Sequence, residues 1–270
     1  MDVTRLFDLE PHGPDTFVGI GPRYPWGGLF GGQIVAQALR AAAATVDESQ
    51  QVHSLRAYFI RRGDHTEPIR FEVDRIRNGR SFTTRRVVAR QAIGAILNLE
   101  ASFQAAEDAD DLQTVHAPVG VPGPEGLEGE MWLDAFERRD VPSSALQDGE
   151  RIGAGRSVCW MKTVAEIGDD QLLQRCWLAF ISDDTPTGAV HRAHPDFDHT
   201  DGLTFNASLD HTIWFHRPLR ADRWHLFDVT CHSYVGARGL SIGHVFSEDG
   251  THVATIAQEV LVRDVRRKQD

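Results

Sequence analysis

Several groups of side chains in this 270-residue sequence have types and spacings that could do chemistry. His191, His194, Asp196, Asp198 and His199 are metal-ligand types at short range, and zinc is the natural ion for histidine ligands. Their segment reads as a loop, where His–Asp mixtures are mostly solvated, so no metal is expected. A basic run follows another logic: Arg75, Arg77, Arg80, Arg85, Arg86 and Arg90. It suits either a ligand carrying a few phosphates or exposed strand faces, and charge runs are usually solvated. Gly27, Gly28, Gly31 and Gly32 precede Gln33 at the head of an alanine-rich stretch. Glycines let a ligand approach the backbone closely, yet such a cluster also serves turns. Gln258 stands beside Ala254-Thr255-Ile256 and must find hydrogen-bond partners if it is buried. Taken alone, Ser208 reads as a strand-end serine and Asp183 as a loop carboxylate.

Whole reaction classes drop out. No GxSxG elbow is present, which disfavours a serine hydrolase with an acyl-enzyme, and no Rossmann or P-loop fingerprint occurs. Cys159, Cys176 and Cys231 lie far apart and make neither a disulfide framework nor a zinc ribbon. The formal charge of −11 argues against a nucleic-acid partner. Residues 1–10 carry acidic groups and no apolar run, unlike a signal peptide, and no stretch has the roughly 18 apolar residues of a membrane helix. The C-terminal Arg266-Arg267-Lys268-Gln269-Asp270 lacks the Ser-Lys-Leu peroxisomal address. A cytoplasmic protein with no membrane span is the expectation.

The elements that would position these groups come as a repeat. Tyr58-Phe59-Ile60-Arg61 returns as Trp214-Phe215-His216-Arg217, an offset of about 156 positions, which also carries Phe71-Glu72-Val73 onto Phe227-Asp228-Val229. Strands are expected over 54–61, 69–76, 82–90 and 95–104, and again over 209–217, 224–232, 240–246 and 252–262. Asn78-Gly79 signals a tight hairpin, and successive hairpins imply an antiparallel sheet. One helix candidate precedes each set. Residues 32–45 place Ile34, Val35, Ala38, Leu39 and Ala42 at helical spacing among alanines, small enough for a curved sheet to enclose. The second opens at Asp169-Asp170, good N-cap residues, and runs through Leu172, Leu173, Cys176, Trp177 and Phe180 to Ile181. Residues 105–130, rich in acid, Pro and Gly, read as a linker with no core of its own, followed by a short amphipathic helix near 131–138. The fold class is α+β: a tandem (double) hot-dog, each unit an antiparallel sheet wrapped around one central helix. The units span 1–105 and 131–270, joined by 106–130. A β-sandwich with stray helices is the alternative, and the repeat weighs against it.

At this point the residues resemble a known family, the type II acyl-CoA thioesterases of bacteria and peroxisomes. The resemblance rests on Gly27-Gly28-Leu29-Phe30-Gly31-Gly32-Gln33-Ile34-Val35-Ala36-Gln37-Ala38-Leu39, on Val52-His53-Ser54 through Asp64, and on Asp74 through Phe82. In the second half it rests on Ala207-Ser208-Leu209-Asp210-His211-Thr212-Ile213-Trp214-Phe215-His216-Arg217-Pro218, Ala237-Arg238-Gly239 and Ala257-Gln258-Glu259. It covers residues 20–104 and 130–263.

The resemblance implies a catalytic trio in the second unit: Asp183, Ser208 (where many relatives have Thr) and Gln258. It further implies an acyl-CoA substrate, no cofactor and a homodimer or homotetramer. A carboxylate can take the proton of an attacking water, while hydroxyl and amide groups orient it. Backbone N–H groups at Gly31, Gly32 and Gln33, opening the first helix, would meet the oxyanion. The sequence departs from the family after Asp183, where Asp184-Thr185-Pro186-Thr187-Gly188 replaces aromatic and apolar residues, so Asp184 competes for the role of Asp183. Two other functions stay open. The segment Asp183 to His191 is faintly similar to the Asp/His motif of hot-dog enoyl-CoA hydratases, and a non-enzymatic acyl-CoA sensor would bind without turnover.

Overall fold

The structure, a computed structural model, describes residues 5–132, 134–146, 155–194 and 204–264. In the first half, β1 (Glu10–Pro11) and β2 (Thr16–Gly19) precede α1 (Gly31–Ala43). Then come β3 (Gln50–Phe59), β4 (Ile69–Asn78), β5 (Phe82–Gln91) and β6 (Gly94–Ala105). The second half holds β7 (Glu130–Trp132), β8 (Phe136–Asp140), β9 (Arg156–Thr163), α2 (Gln171–Ser182) and α3 (Thr185–Ala193). It closes with β10 (Thr204–Ser208), β11 (Asp210–Phe215), β12 (His225–Val235), β13 (Arg238–Ser247) and β14 (His252–Asp264).

All paired strands run antiparallel in one continuous sheet of order β1-β2-β4-β5-β6-β3-β11-β14-β13-β12-β9-β8-β7, with β10 on β14. The halves join where β3 meets β11, and there Arg56 pairs with Thr212. Position 56 shifted by the repeat offset lands on 212, so equivalent residues of the two copies face each other. The repeat is therefore a local two-fold: a hot-dog unit on each side of one strand pair. The small residues of α1 explain its burial. Ala36, Ala38, Ala41 and Ala42 let the helix lie close to β3–β6 on one side and α2 on the other. α2 starts where Asp170 Oδ1 accepts from the N–H groups of Leu172 and Leu173, at 2.9 and 3.1 Å.

The structure corrects three local expectations. The segment near 131–138 is a β-hairpin, β7–β8, not a helix: Asp134 sits at φ 55° in the turn, and Trp132 packs on Trp26, Phe30 and Phe136. The segment from His191, expected as a loop, begins inside a helix, α3, which spans Thr185–Ala193. Pro186 lacks an N–H and its ring opposes the carbonyl four residues back, so the chain breaks after Ser182 and resumes with Pro in the first turn, where it is tolerated. The Asn78-Gly79 turn is not a two-residue hairpin with positive φ. Asn78 stays in β4 paired with Thr83, three residues connect the strands, and Asn78 Oδ1 accepts from Arg85. Residues 106–130 lie against the second half. Val115, Ala117, Val121 and Leu127 pack on a second core of Val158, Trp160, Trp224, Leu226 and Phe246, and Pro122 O accepts from the Trp160 indole.

Candidate active site

Four elements meet at one place. α2 is capped by Asp183, α1 begins at Gly31, β10 ends at Ser208 and β14 carries Gln258 on its inward face. Register explains the last two: Ser208 pairs with Val260, and Leu209 N–H donates to Glu259 O at 2.9 Å. Gln258 thus lies within reach of Ser208, and its Nε2 donates to Ser208 Oγ at 2.7 Å. Ser208 Oγ donates in turn to Asp183 Oδ1 at 3.4 Å. The three trio residues of the second unit come together, and Gln258, fully buried, has the partners its burial demands.

α1 brings the first unit into the same site. The N–H groups of its opening turn, Gly31, Gly32 and Gln33, have no acceptors within the helix, and Gly32 N–H donates to the Asp183 carboxylate. The glycines are required by proximity. A Cβ on Gly31 would sit 2.6 Å from Asp183 Oδ2, and one on Gly32 2.1 Å from the Phe180 carbonyl oxygen. Gly32→Ala must therefore push α1 off α2, and overpacking of this kind costs about 1–3 kcal/mol. The expected result is a lower denaturation midpoint for Gly32→Ala. Gly126→Ala, whose Cβ meets nothing within 4 Å, leaves the midpoint in place. The side chain of Gln33 points elsewhere, accepting from the Tyr24 hydroxyl at 2.7 Å and donating to Gln37, so only its backbone faces the site.

Asp183 is buried, and burial pushes its carboxyl up to about 6, against hydrogen bonds from Gln258, Gly32 N–H and Ser208; the charge of Asp184 adds to the rise. Asp184 itself turns to Arg138 of β8, with which it forms a largely buried ion pair. It does not touch Ser208 or Gln258 among the described contacts. The two carboxylates are sorted by the helix break: Asp183 faces β10 and β14, Asp184 faces β8.

Residues 21–104 match the acyl-CoA thioesterase N-terminal domain, and residues 108–262 match the acyl-CoA thioesterase C-terminal domain. The chain belongs to the type II acyl-CoA thioesterase family. It is similar to human acyl-coenzyme A thioesterase 8, 35% identical over 97% of this chain and 88% of that protein. Acyl-CoA thioesterase 2 of Haemophilus influenzae is 34% identical over 97% of each chain. Among solved structures, acyl-CoA thioesterase II TesB2 from Mycobacterium marinum superposes with a TM-score of 0.87 at 35% identity, covering all of both chains. This thioesterase is accordingly an enzyme, a thioester hydrolase with the double hot-dog fold.

Other sequence candidates fall outside the site. Arg75 pairs with Asp15, Arg86 with Asp74 and Arg90 with Glu72. Arg85 is buried and donates to Thr45 and Asn78, while the other five arginines of the thioesterase's basic run are exposed. His191 is buried on α3, with Nε2 3.3 Å from Asn206 Nδ2. His194 ends α3, while Asp196, Asp198 and His199 lie outside the described residues. Among the described residues no group of three or more His, Cys, Asp or Glu can hold a metal ion, and no helix is long and apolar enough to cross a membrane.

Sequence reasoning missed Ser182, His211 and Arg138. His211 is fully buried on β11, with Nδ1 2.5 Å from Gln258 Oε1 and Nε2 2.9 Å from Ser182 Oγ. The signal was present: alternation on β11 places His211 on the inward face with Ile213 and Phe215, where a polar group needs partners.

Proposed function

We propose that the chain hydrolyses fatty acyl-CoA thioesters to free acid and CoA by direct attack of a water held by Asp183, Ser208 and Gln258. Asp183 takes the water's proton as the oxygen attacks the thioester carbon. Its elevated carboxyl makes it a better base near neutral pH than an ordinary aspartate. Gln258 and Ser208 fix the water's orientation through their donors and acceptors. Charge growing on the carbonyl oxygen is met by N–H groups of the α1 opening turn, where the helix dipole also favours an anion. Gly31 and Gln33 offer these donors most directly, since Gly32 N–H is engaged with Asp183. The CoA thiolate leaves without acid assistance.

The single observation that carries this reading is the meeting of the two units: the α1 terminus of one lies against the carboxylate of the other, with Oδ2 2.6 Å from the Cβ position of Gly31. Neither unit holds both the base and the oxyanion donors. The division into units 1–105 and 131–270 joined by 106–130, a cytoplasmic location and a homodimer or homotetramer belong to the same proposal. A hydratase would need Asp183 and His191 at one water. The helix break sends the two apart along the chain: Asp183 caps α2, while His191 sits on α3 and meets Asn206 instead.

The test is thiol release from saturated acyl-CoAs of increasing length, by wild type and Gln258→Ala. Free CoA from the wild type, with kcat about 100-fold lower in the variant, is the expected result. Binding of acyl-CoA without release at any chain length sinks hydrolysis and favours a sensor; hydration of crotonyl-CoA favours a hydratase.

A further inference from the structure

One hydrogen-bonded circuit begins and ends at the α2 terminus: Asp183, Ser208, Gln258, His211, Ser182. Its direction follows bond by bond from what each group can donate. Ionised Asp183 only accepts, so the Ser208 hydroxyl proton points at Oδ1. Ser208 Oγ then accepts from Gln258 Nε2. An amide carries its donors on nitrogen and its acceptor on oxygen, so Gln258 Oε1 faces away from Ser208, against His211 Nδ1. That oxygen only accepts, which places the imidazole proton on Nδ1. Nε2 is left as a bare lone pair, and the Ser182 hydroxyl 2.9 Å away donates to it. Ser182 is the residue before Asp183, and the circuit closes.

We infer that His211 is a positioning residue of the hydrolysis, held as the Nδ1–H tautomer, which locks the Gln258 amide so that its N–H groups face Ser208 and the attacking water. The inference rests on the trio reading above. Without His211 nothing on that side distinguishes the two ends of the amide, which are nearly equal in shape. A flipped Gln258 would turn its oxygen to Ser208, draw the hydroxyl proton from Asp183, and present an acceptor where the water needs a donor. With His211 in place, the flip sets the Gln258 N–H groups against Nδ1–H, donor against donor.

A reversed circuit also closes: Nε2–H donating to Ser182, Ser182 donating to Ala179 O 3.3 Å away, and Gln258 flipped. It takes the Ser208 proton and the Gln258 N–H groups away from the buried Asp183 carboxylate and leaves it the Gly32 N–H, and a buried charge with fewer donors is the costlier arrangement. Burial keeps the ring neutral, pushed down to about 4, so a single tautomer suffices at working pH.

The test combines a spectroscopic and a kinetic measurement. Two-bond proton–nitrogen spectra of protein labelled at the histidine ring nitrogens, with His211 assigned from His211→Gln, should show the proton on Nδ1 and a bare Nε2 at neutral pH. An Nε2–H ring overturns the inference. His211→Leu should lower kcat about 10- to 100-fold, the size expected when a buried hydrogen-bonding group loses its partner. KM should stay unchanged, because the ring does not touch substrate. His211→Gln, which again offers one donor and one acceptor, should recover most of that loss. Full kcat in His211→Leu, or no recovery in His211→Gln, overturns the role; if His211→Leu fails to fold, the tautomer decides. Wild-type thiol release by Asp183→Asn would overturn the trio reading instead, and is distinguishable because it leaves the tautomer where it is.

Discussion

Asp183→Asn is expected to lower kcat/KM for thioester hydrolysis by at least about 100-fold, the contribution of a positioned general base, and to remove a pH dependence that the wild type shows. The sign follows from the carboxyl, which burial pushes up to about 6. Only the ionised form can accept the water's proton. As pH falls through about 6 the active form is lost, so wild-type kcat/KM should drop about tenfold per pH unit below that point and level off above it. The asparagine variant has no such group, and its residual rate should be flat across the same range. Rates measured from pH 4.5 to 8.5 at subsaturating acyl-CoA check both statements. A wild-type inflection near 4, the ordinary range for an aspartate, would mean that Asp183 is not the titrating base. The alternative base, Asp184, is already distinguished by its partner, because the Arg138 ion pair engages it on the far side of the helix break.

Much of this site was legible in the sequence because its signals are local or repeated. The helix α1 announces itself by alanine content and spacing, and the structure starts it at Gly31, one residue from the expected Gly32. Four strands of one half return in the other at an offset of about 156, and the two-fold at Arg56 and Thr212 is that offset expressed in space. What stayed hidden depends on partners far along the chain. Met131 to Arg138 has apolar residues at helix-like spacing. Trp132, however, is claimed by Trp26 and Phe30, about a hundred residues earlier, and Asp134 adopts the positive φ that turns the chain back. The His191 segment was expected as a loop, yet Pro186 in the first turn of a helix breaks only what precedes it and lets α3 run through His191. That break aims Asp183 and Asp184 at different strands. His211 lies within the Ser208-Leu209-Asp210-His211 segment, but its role depends on β14 placing Gln258 beside it, a pairing that no local pattern reveals.

The same substitution that abolishes the base should stabilise the protein, and this follows from the direction of the shift. The carboxyl of Asp183 stands at about 6 in the folded chain against an ordinary 3.8. A raised carboxyl binds its proton more tightly folded than unfolded, so its stabilising contribution is complete below about 4 and is lost as pH rises through 6. Holding the ionised group in the fold above pH 6 therefore costs about 3 kcal/mol relative to the protonated one. Asn at 183 does not titrate and escapes that cost. The difference in unfolding free energy between Asp183→Asn and wild type should then widen in favour of the variant by about 2 kcal/mol between pH 4 and pH 8, read from denaturation midpoints at the two pH values. Parallel pH profiles for the two proteins would show that the carboxylate is not buried in solution as the structure places it. A widening gap would identify the cost of the site: a base kept strong by a dry enclosure that the rest of the double hot-dog core must offset.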